Sequence, residues 1–339
     1  MEVYFLDVGQ GTSQLILLGD RAAIAIDAGP KTDGVLAQAL SRYRVDRLVR
    51  FVTTHSHADH VGGAEPLLTS YVSQIDQLWF LDDPQLRASR FYRRLRQLVD
   101  DDEIRPEQLR RIERDAQPRV LYNDDARGLK LLILAPDFAS NVGAIDAGDA
   151  NKTAAILMLV VGQNRIVFGS DSMMEQWRRL HAERGRPLSC DVLAVPHHGG
   201  NMGQVNDADF HWLYNDALRA RHAVLSVGTR NTFGHPKPIV VEALRQSGAT
   251  VICTQITDQC CSDLEQVRPG LLQPLEQVRN SVSHAKKNSG GRSQRVACAG
   301  TVVAEIGVGG ISIRSLTSHQ QGVDGLAGCA YGAPLCRRA

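Results

Sequence analysis

The sequence has 339 residues, of which 43% are apolar, and a formal net charge of +1 at pH 7. A chain of this length can bury a large core, as one domain or as one domain with appendages. The balance of acidic and basic residues excludes a global basic field, so a polyanion would have to be held by a local patch or by bound metals. The longest wholly apolar run, Ala154–Val161, is too short to span a bilayer.

The N-terminal residues and the cysteines indicate the compartment. The chain starts with MEVYFLDVGQGTS, which lacks the basic segment, apolar run and cleavage site of a secretion signal. Seven cysteines, an odd number, are typical of reduced thiols rather than of a disulfide framework. Both features predict a cytoplasmic protein.

Short apolar runs rich in β-branched residues predict strands, and the first three, joined by Gly-containing turns, predict an antiparallel meander. The predicted strands are Val3–Val8, Ser13–Leu18, Ala22–Ile26, Leu48–Thr53, Leu78–Leu81, Leu129–Leu134, Ala154–Val161, Arg165–Gly169, Asp191–Val195, Ala223–Val227, Thr250–Thr254, Val296–Glu305 and Gly310–Ser315.

Apolar residues spaced three and four apart predict helices between several of these strands. The predicted helices are Gly34–Tyr43, Pro84–Asp101, Pro106–Asp115, Met174–Glu183 and Ile239–Ser247. Strands buried between helical layers give an α/β sandwich. The polar, Gly/Ser-rich stretch Arg279–Arg295 predicts a flexible loop, and little order is expected from Thr317 onward.

The strongest chemical signal follows the strand Leu48–Thr53. His55, His57, Asp59 and His60 fall within six residues at its carboxyl end. The backbone there can direct His55 and His57 to one cation and Asp59 and His60 to a neighbouring one. Imidazole and carboxylate are suitable ligands for zinc, manganese or iron. The cluster therefore predicts a two-metal site.

The motif HxHxDH after a strand resembles the signature of the metallo-β-lactamase superfamily. The motifs FLDVGQGTS, IDAG, THSHADHVGG, GSDS, PHHGGN and NTFGHP occur in the order seen in the soluble hydrolase domain of ComEC-type DNA-uptake competence proteins. The resemblance covers roughly residues 1–255 and resumes after Arg295. It implies an αββα sandwich and a hydrolase domain over residues 1–316. That domain carries a loop-rich, Cys-containing insertion at about 255–295 and is followed by a Gly-rich tail at 317–339.

The resemblance also implies roles for residues outside the HxHxDH loop. Asp27 resembles the aspartate that orients this loop by hydrogen bonds. Asp171 resembles the carboxylate that bridges the two metals, and His235 the last histidine ligand of the second metal. Each has a plainer alternative, since an aspartate at a strand end is often a turn or helix cap.

One departure concerns the first metal. Many superfamily members place a further histidine ligand before the bridging aspartate, but no histidine lies between His60 and His181 here. The ComEC-type branch also lacks it, and has an Asn-x-Ser/Thr motif nearby. His197 or His198 is the natural replacement. We assign His197 as ligand, and His198 to a catalytic role in which it either supports a ligand or contacts the phosphate. Proton donation to the leaving group is the alternative for either.

The implied mechanism is attack on a phosphodiester by a hydroxide that two divalent metals, Zn²⁺ or Mn²⁺, activate and catalytic Asp59 orients. The remaining substrate oxygens would be contacted by side chains and amides of Asn151, Thr153, Ser172, Gly199 and Gly200.

A second cluster comprises Cys253, Cys260, Cys261 and Cys298, with His284 nearby. Their thiolates are candidate ligands for one structural zinc that would pin the insertion. The alternative is that they are small buried apolar side chains, because the spacing contains no CxxC pair.

The leading prediction is a phosphodiesterase or nuclease with a phosphodiester or other anionic substrate, nucleic acid among them, and no membrane-spanning part. The same site would also serve small esters, lactones, thioesters or cyclic nucleotides. A third hypothesis is a metal-stabilised interaction module without turnover, against which the complete HxHxDH motif and Asp171 argue. Oligomeric state and pathway are left open.

Overall fold

The computed structural model describes residues 1–31, 34–82, 84–139, 141, 149–267, 286–287, 289, 293–328 and 334–337. Two large mixed sheets dominate it. The strands are β1 (Glu2–Phe5), β2 (Gln14–Gly19), β3 (Ala22–Ile26), β4 (Arg47–Thr53), β5 (Leu78–Phe80), β6 (Leu109–Arg111), β7 (Arg119–Asp124), β8 (Leu129–Ala135), β9 (Ile156–Val161), β10 (Asn164–Phe168), β11 (Leu188–Ala194), β12 (Leu218–Leu225), β13 (Thr250–Cys253), β14 (Lys286–Lys287), β15 (Ser293–Arg295), β16 (Val302–Gly307) and β17 (Gly310–Ile313).

The first sheet has eight strands in the order β17-β16-β1-β2-β3-β4-β5-β6, and the second has seven in the order β13-β12-β11-β10-β9-β8-β7. The strands β1, β2 and β3 form the predicted antiparallel meander. From β3 to β6 the pairing is parallel, as it is from β10 to β13. The short β14 and β15 form a separate pair.

Helices cover the outer faces of both sheets. The α-helices are Val35–Arg42, Ala58–Val61, Ala64–Tyr71, Pro84–Ala88, Arg90–Asp100, Met174–Arg184, Asp207–His211, Pro238–Gln246 and Leu316–Ala327. The Arg90–Asp100 helix shows why such segments are helical: Ser89 caps it by accepting from the Tyr92 amide, and Phe91, Leu95 and Leu98 form one buried face.

Three groups of buried apolar side chains define the layers. Alternate residues of a strand point to opposite faces, so Val52 of β4 lies between the sheets while Phe51 lies on the outer, helix-covered face. Phe168 belongs to the same inner layer as Val52, and Trp177 belongs to the outer layer of the second sheet. This is the αββα sandwich that the sequence predicts.

The functional residues gather where the carboxyl ends of the parallel strands meet. Ile26 pairs with Val52 at the ends of β3 and β4. Phe168 pairs with Ala194, and Ala194 with Val224, at the ends of β10, β11 and β12. The Ala155 amide donates to the Thr54 carbonyl at 2.9 Å, which ties the two sheets together at this edge. Loops that leave these ends therefore converge.

Several element predictions are wrong. Pro106–Asp115 was expected to be helical, but a 3₁₀ turn at Pro106–Gln108 leads into β6, whose parallel pairing with β5 overrides the local helix pattern. The predicted helix Pro84–Asp101 is two helices separated at Ser89.

The tail also differs from expectation, because Leu316–Ala327 is a helix whose Val323 and Leu326 are buried in the core. Most of Arg279–Arg295 lies outside the described residues. Within the part of the chain that the structure describes, no helix is both long and apolar enough to cross a membrane.

Candidate metal centre

The HxHxDH motif folds as a turn into a short helix. His55 follows β4, His57 occupies the N-cap position, and Asp59 and His60 lie in the Ala58–Val61 helix. A Cβ atom at Gly63 would lie 2.4 Å from the Ala28 carbonyl oxygen, so only glycine lets this segment pack against the loop after β3. There the Ala28 amide donates to the His60 carbonyl at 2.8 Å.

Asp171, three residues beyond the end of β10, lies at the centre of the site and divides its neighbours between its two carboxylate oxygens. Oδ2 is 3.6 Å from Nε2 of His55 and 3.9 Å from Nε2 of His197. Oδ1 is 3.2 Å from Nε2 of His60 and 3.4 Å from Nε2 of His198. Two potential ligand groups therefore share this residue.

The two groups are distinguished by their ligand atoms. One comprises Asp59, His60, Asp171 and His198, and the other His55, His57 and Asp171; within each, the ligand atoms lie within 4.8 Å of one another.

The neighbouring residues His197 and His198 reach different oxygens of Asp171 because of their backbone conformation. Both have left-handed dihedrals, with φ of 50° and 54°, in the turn after β11. Non-glycine residues adopt this region rarely, and such residues cluster at functional sites. The sequence assigned the ligand role to His197 and a substrate role to His198. The structure places His198 nearer the centre, with Nε2 3.3 Å from Asp59.

Hydrogen bonds behind the histidines fix which ring nitrogen faces the centre. Nδ1 of His60 is 2.7 Å from Asp27, and Nδ1 of His198 is 2.9 Å from the Ser226 carbonyl. Nδ1 of His55 is 3.4 Å from the Ser170 hydroxyl. With protons on these Nδ1 atoms, each Nε2 presents its lone pair to the centre, as metal-binding histidines require.

Asp27 also holds the loop that carries the histidines. Its carboxylate accepts from the Thr54 amide at 2.7 Å, the Thr54 hydroxyl at 2.6 Å and the Thr12 hydroxyl at 3.0 Å. The Thr54 hydroxyl lies 2.5 Å from that of Ser170. Sequence reasoning missed Thr12, Thr54 and Ser170, although all three stand inside the quoted motifs.

The donor set fits divalent cations. Nε2 of His55, His60 and His198, and Oδ1 of Asp171, are buried and have no hydrogen-bond partner among the described residues. Unpaired buried polar atoms are costly unless something binds them. Imidazole nitrogens and carboxylate oxygens are ligands that Zn²⁺ and Mn²⁺ accept. The free atoms of His60, His198 and Asp171 belong to one potential ligand group and that of His55 to the other, so both groups offer unpaired ligand atoms to a cation.

The electrostatics of the centre also suit cations. Burial alone would raise the pKa of Asp59, but the neighbouring His198 ring, with Nε2 3.3 Å away, and the charge of His60 lower it below the ordinary value. Burial would lower the pKa of His60, yet the carboxylates of Asp171 and Asp27 raise it well above the ordinary value. Without a metal, a proton on His60 offsets the charge of these carboxylates. A bound cation would neutralise the same charge.

His235 lies outside both close groups. Its ring stacks on that of His198 at 6.2 Å between centroids with an interplanar angle of 20°. Its Nδ1 is 3.4 Å from the Gln10 amide nitrogen. Burial and the charge of His198 lower the pKa of His235 to about 4, so the ring is neutral at pH 7.

The residues predicted to contact substrate differ in whether their polar groups already form hydrogen bonds within the protein. The Thr153 and Ser172 hydroxyls are buried and donate to carbonyls of their own turns, at 2.8 and 2.7 Å. The Gly200 amide donates to the His197 carbonyl at 2.7 Å, next to Gly199. Asn151 keeps a side-chain oxygen without a partner among the described residues.

The cysteines lie in the core rather than in a compact ligand group. Cys253, Cys260, Cys261 and Cys298 are buried in the outer layer of the second sheet. Among the described residues, no group of three ligand atoms within 4.8 Å includes a cysteine. Burial raises the pKa of Cys253 and Cys298 well above the ordinary value, so both are protonated thiols. This geometry favours the apolar alternative; His284 lies outside the described residues.

Comparison with known proteins finds a family model that covers the segment from His55 to His60. This family model is described as the metallo-beta-lactamase superfamily and matches residues 6–73. ComE operon protein 3 of Bacillus subtilis (strain 168) is 24% identical over 276 residues, which are 75% of this chain and 32% of that protein. The chain therefore spans about a third of the length of this curated relative.

The solved structures to which the chain is similar are more distant in sequence. YhfI from Bacillus subtilis, a metallo-beta-lactamase fold protein, has a TM-score of 0.43 at 13% identity, covering 74% of this chain and 95% of its own. The short form of human tRNase Z has a TM-score of 0.39 at 13% identity, covering 67% of this chain and 92% of its own.

Over residues 6–73 the chain is similar to the metallo-β-lactamase superfamily, and its sequence is ComEC-like. Both similarities support a metal-dependent hydrolase in general.

Proposed function

We propose that the protein is a two-metal phosphodiesterase. The observation that carries this proposal is the division of Asp171, whose two carboxylate oxygens each face a separate pair of histidine Nε2 atoms. A carboxylate shared in this way is suited to bridge two cations, and a two-metal site clamps the attacking and leaving oxygens of a phosphoryl centre.

Each cation is assigned its own ligands. His55, His57 and Asp171 would hold the first, with His197 as a further ligand because its Nε2 faces the same oxygen as that of His55. Asp59, His60, His198 and Asp171 would hold the second. The two adjacent histidines would thus serve different cations, and the His235 ring would support His198 by stacking on it. When bound, a pair of divalent cations lowers the pKa of water towards neutrality and neutralises charge on a phosphoryl oxygen.

The protein's own groups would position the reaction. The Asp59 side chain is 28% exposed, whereas those of His198 and Asp171 are 2% and 4% exposed, so the centre opens to solvent on the Asp59 side. An ionised Asp59 can accept a hydrogen bond from the attacking water and orient its lone pair. Asn151, which is only partly buried, is the candidate to donate from its side-chain amide nitrogen to a substrate oxygen.

The test combines metal content with turnover. Purified full-length protein would be assayed with single-stranded DNA, duplex DNA, RNA and cyclic dinucleotides, each with Mn²⁺, Zn²⁺ or EDTA. We expect two bound metals and metal-dependent cleavage. Asp59→Ala should abolish cleavage while far-ultraviolet circular dichroism is unchanged, and Asp76→Asn, which alters a surface carboxylate paired with Arg47, should leave cleavage intact.

The alternative outcomes separate the competing functions. A protein that binds two metals but cleaves no phosphodiester, and instead hydrolyses small esters or lactones, would overturn the phosphodiesterase proposal while keeping the hydrolase class. A protein that binds no metal would overturn both.

A further inference from the structure

Phe233 is an exposed aromatic residue next to the candidate metal centre. Its side chain is 61% exposed, and the other large apolar side chains that the described residues expose to a similar degree are Val120, Phe138 and Val308. Phe233 lies in the loop after β12, two residues before His235. An exposed aromatic ring beside a site offers apolar surface that a flat ligand can cover.

The ring continues a stack that begins at the metal ligands. The Phe233 and His235 centroids are 5.6 Å apart with an interplanar angle of 29°, and the His235 and His198 rings are 6.2 Å apart at 20°. The innermost of these rings, His198, faces Asp59 and Asp171. Three stacked rings therefore lead from the second potential ligand group to the exposed Phe233 side chain.

The loop that carries Phe233 is held rigidly. The Asn231 side chain accepts from the His235 amide at 2.8 Å and donates to the His235 carbonyl at 2.8 Å. The Lys237 ammonium donates to the Phe233 carbonyl at 3.2 Å. A ring on such a loop loses little conformational freedom when a flat group packs on it, which favours binding.

We propose that Phe233 is the platform on which an unpaired nucleobase stacks next to the scissile phosphodiester; this inference rests on the proposed phosphodiesterase function. A base offers a flat π-face of the kind that stacks on phenylalanine. The Lys237 cation beside the same loop segment supplies positive charge for the neighbouring backbone phosphate. A paired base keeps its faces inside the duplex stack, so the geometry favours single-stranded nucleic acid over duplex.

The test compares two oligonucleotides of equal length, one with bases throughout and one with abasic sites on both sides of the scissile bond. Phe233→Ala should lower kcat/KM on the normal single strand by about 5- to 150-fold, the usual range for a lost base–aromatic stack. On the abasic strand the change should be less than threefold, and Phe233→Trp should keep the preference for bases. Val308→Ala, which trims another exposed apolar side chain on the β16–β17 hairpin, should change neither rate.

Two results would overturn the inference. An equal loss on both strands would show that Phe233 acts only by supporting His235, and an unchanged rate on both would show that no base stacks there.

Binding without turnover separates this inference from the proposed function. If the wild-type protein cleaves neither strand, the phosphodiesterase proposal fails, and fluorescence anisotropy with the same two strands still tests the stack. Tighter binding of the normal strand that Phe233→Ala removes would support it, whereas equal binding of both strands by the wild-type protein would overturn it.

Discussion

Replacement of Asp27 by Asn tests whether the buried hydrogen bonds behind the histidines set metal affinity. Asn tolerates the left-handed backbone of Asp27, at φ 55°, so the substitution changes hydrogen bonding and not backbone strain. Asp27 Oδ2 accepts from His60 Nδ1 and from the hydroxyls of Thr54 and Thr12, while Oδ1 accepts from the Thr54 amide. In the variant, the side-chain oxygen of Asn can still accept from the Thr54 backbone amide. The side-chain nitrogen of Asn then faces His60 Nδ1.

Two donors cannot share that contact, so the proton of neutral His60 moves from Nδ1 to Nε2, the atom that faces Asp171 at 3.2 Å. This tautomer would withdraw the Nε2 lone pair of His60 from the proposed second cation. Loss of such a supporting hydrogen bond usually lowers metal affinity by about 10- to 100-fold, which corresponds to about 1.4 to 2.7 kcal/mol. His55 and His57 do not contact Asp27 through their rings, so the first cation should be affected less.

Competition titration with a chromogenic chelator for Zn²⁺ or Mn²⁺ would resolve the two binding steps in the variant and in wild-type protein, with Asp76→Asn as the matched surface control. A selective weakening of one step is the expected result. Two affinities within twofold of wild type would refute the tautomer argument, and equal weakening of both would point to collapse of the loop instead.

Three further predictions concern stability. Gly200→Ala should destabilise the protein by about 1–3 kcal/mol in urea unfolding, because the new Cβ would lie 2.2 Å from His235 Nε2. The control Gly307→Ala meets open space and should change the free energy of unfolding little. Equal free energies of unfolding for the two variants would contradict the packing. Leu326→Ala should lower the free energy of unfolding by about 2–5 kcal/mol, and Gln321→Ala, at an exposed position of the same helix, by no more than about 0.5 kcal/mol. A small loss for both variants would show that the Leu316–Ala327 helix does not pack on the core. In metal-free protein the raised pKa values of His60 and His198 stabilise the fold below their unfolded pKa of about 6.5, and this stability is lost as pH rises through the folded values. Differential scanning calorimetry should therefore show a falling Tm above about pH 7 with EDTA but not with saturating metal, and parallel curves would count against it.

Local sequence patterns were sufficient to predict those parts of the fold and of the site that depend on residues close together in the sequence. The meander β1–β3 and the strand that precedes His55 follow from alternation and turn residues, and the HxHxDH segment concentrates its ligands within one turn. The prediction that Asp171 lies beside these histidines came from a resemblance. The structure adds the physical reason, since β10 and β4 end at the same edge of the sandwich.

Other features depend on contacts that a linear pattern does not contain. The separate directions of His197 and His198 arise from two consecutive left-handed residues, which no motif spacing reveals. Strand β6 exists because β5 offers it a parallel partner. The tail helix buries His319, Val323 and Leu326 at helical spacing, but its glycines and the polar character of histidine hide that pattern.

In the proposed two-metal centre, the shared carboxylate of Asp171 would have a thermodynamic consequence for the order in which the cations enter. A cation on one oxygen withdraws negative charge from the other and also fixes the orientation of the carboxylate that the second cation needs. The two affinities are therefore linked, and by reciprocity each cation changes the affinity for the other by the same factor. The concentration of either metal would thereby affect the occupancy of both metal sites, because both cations would contact Asp171.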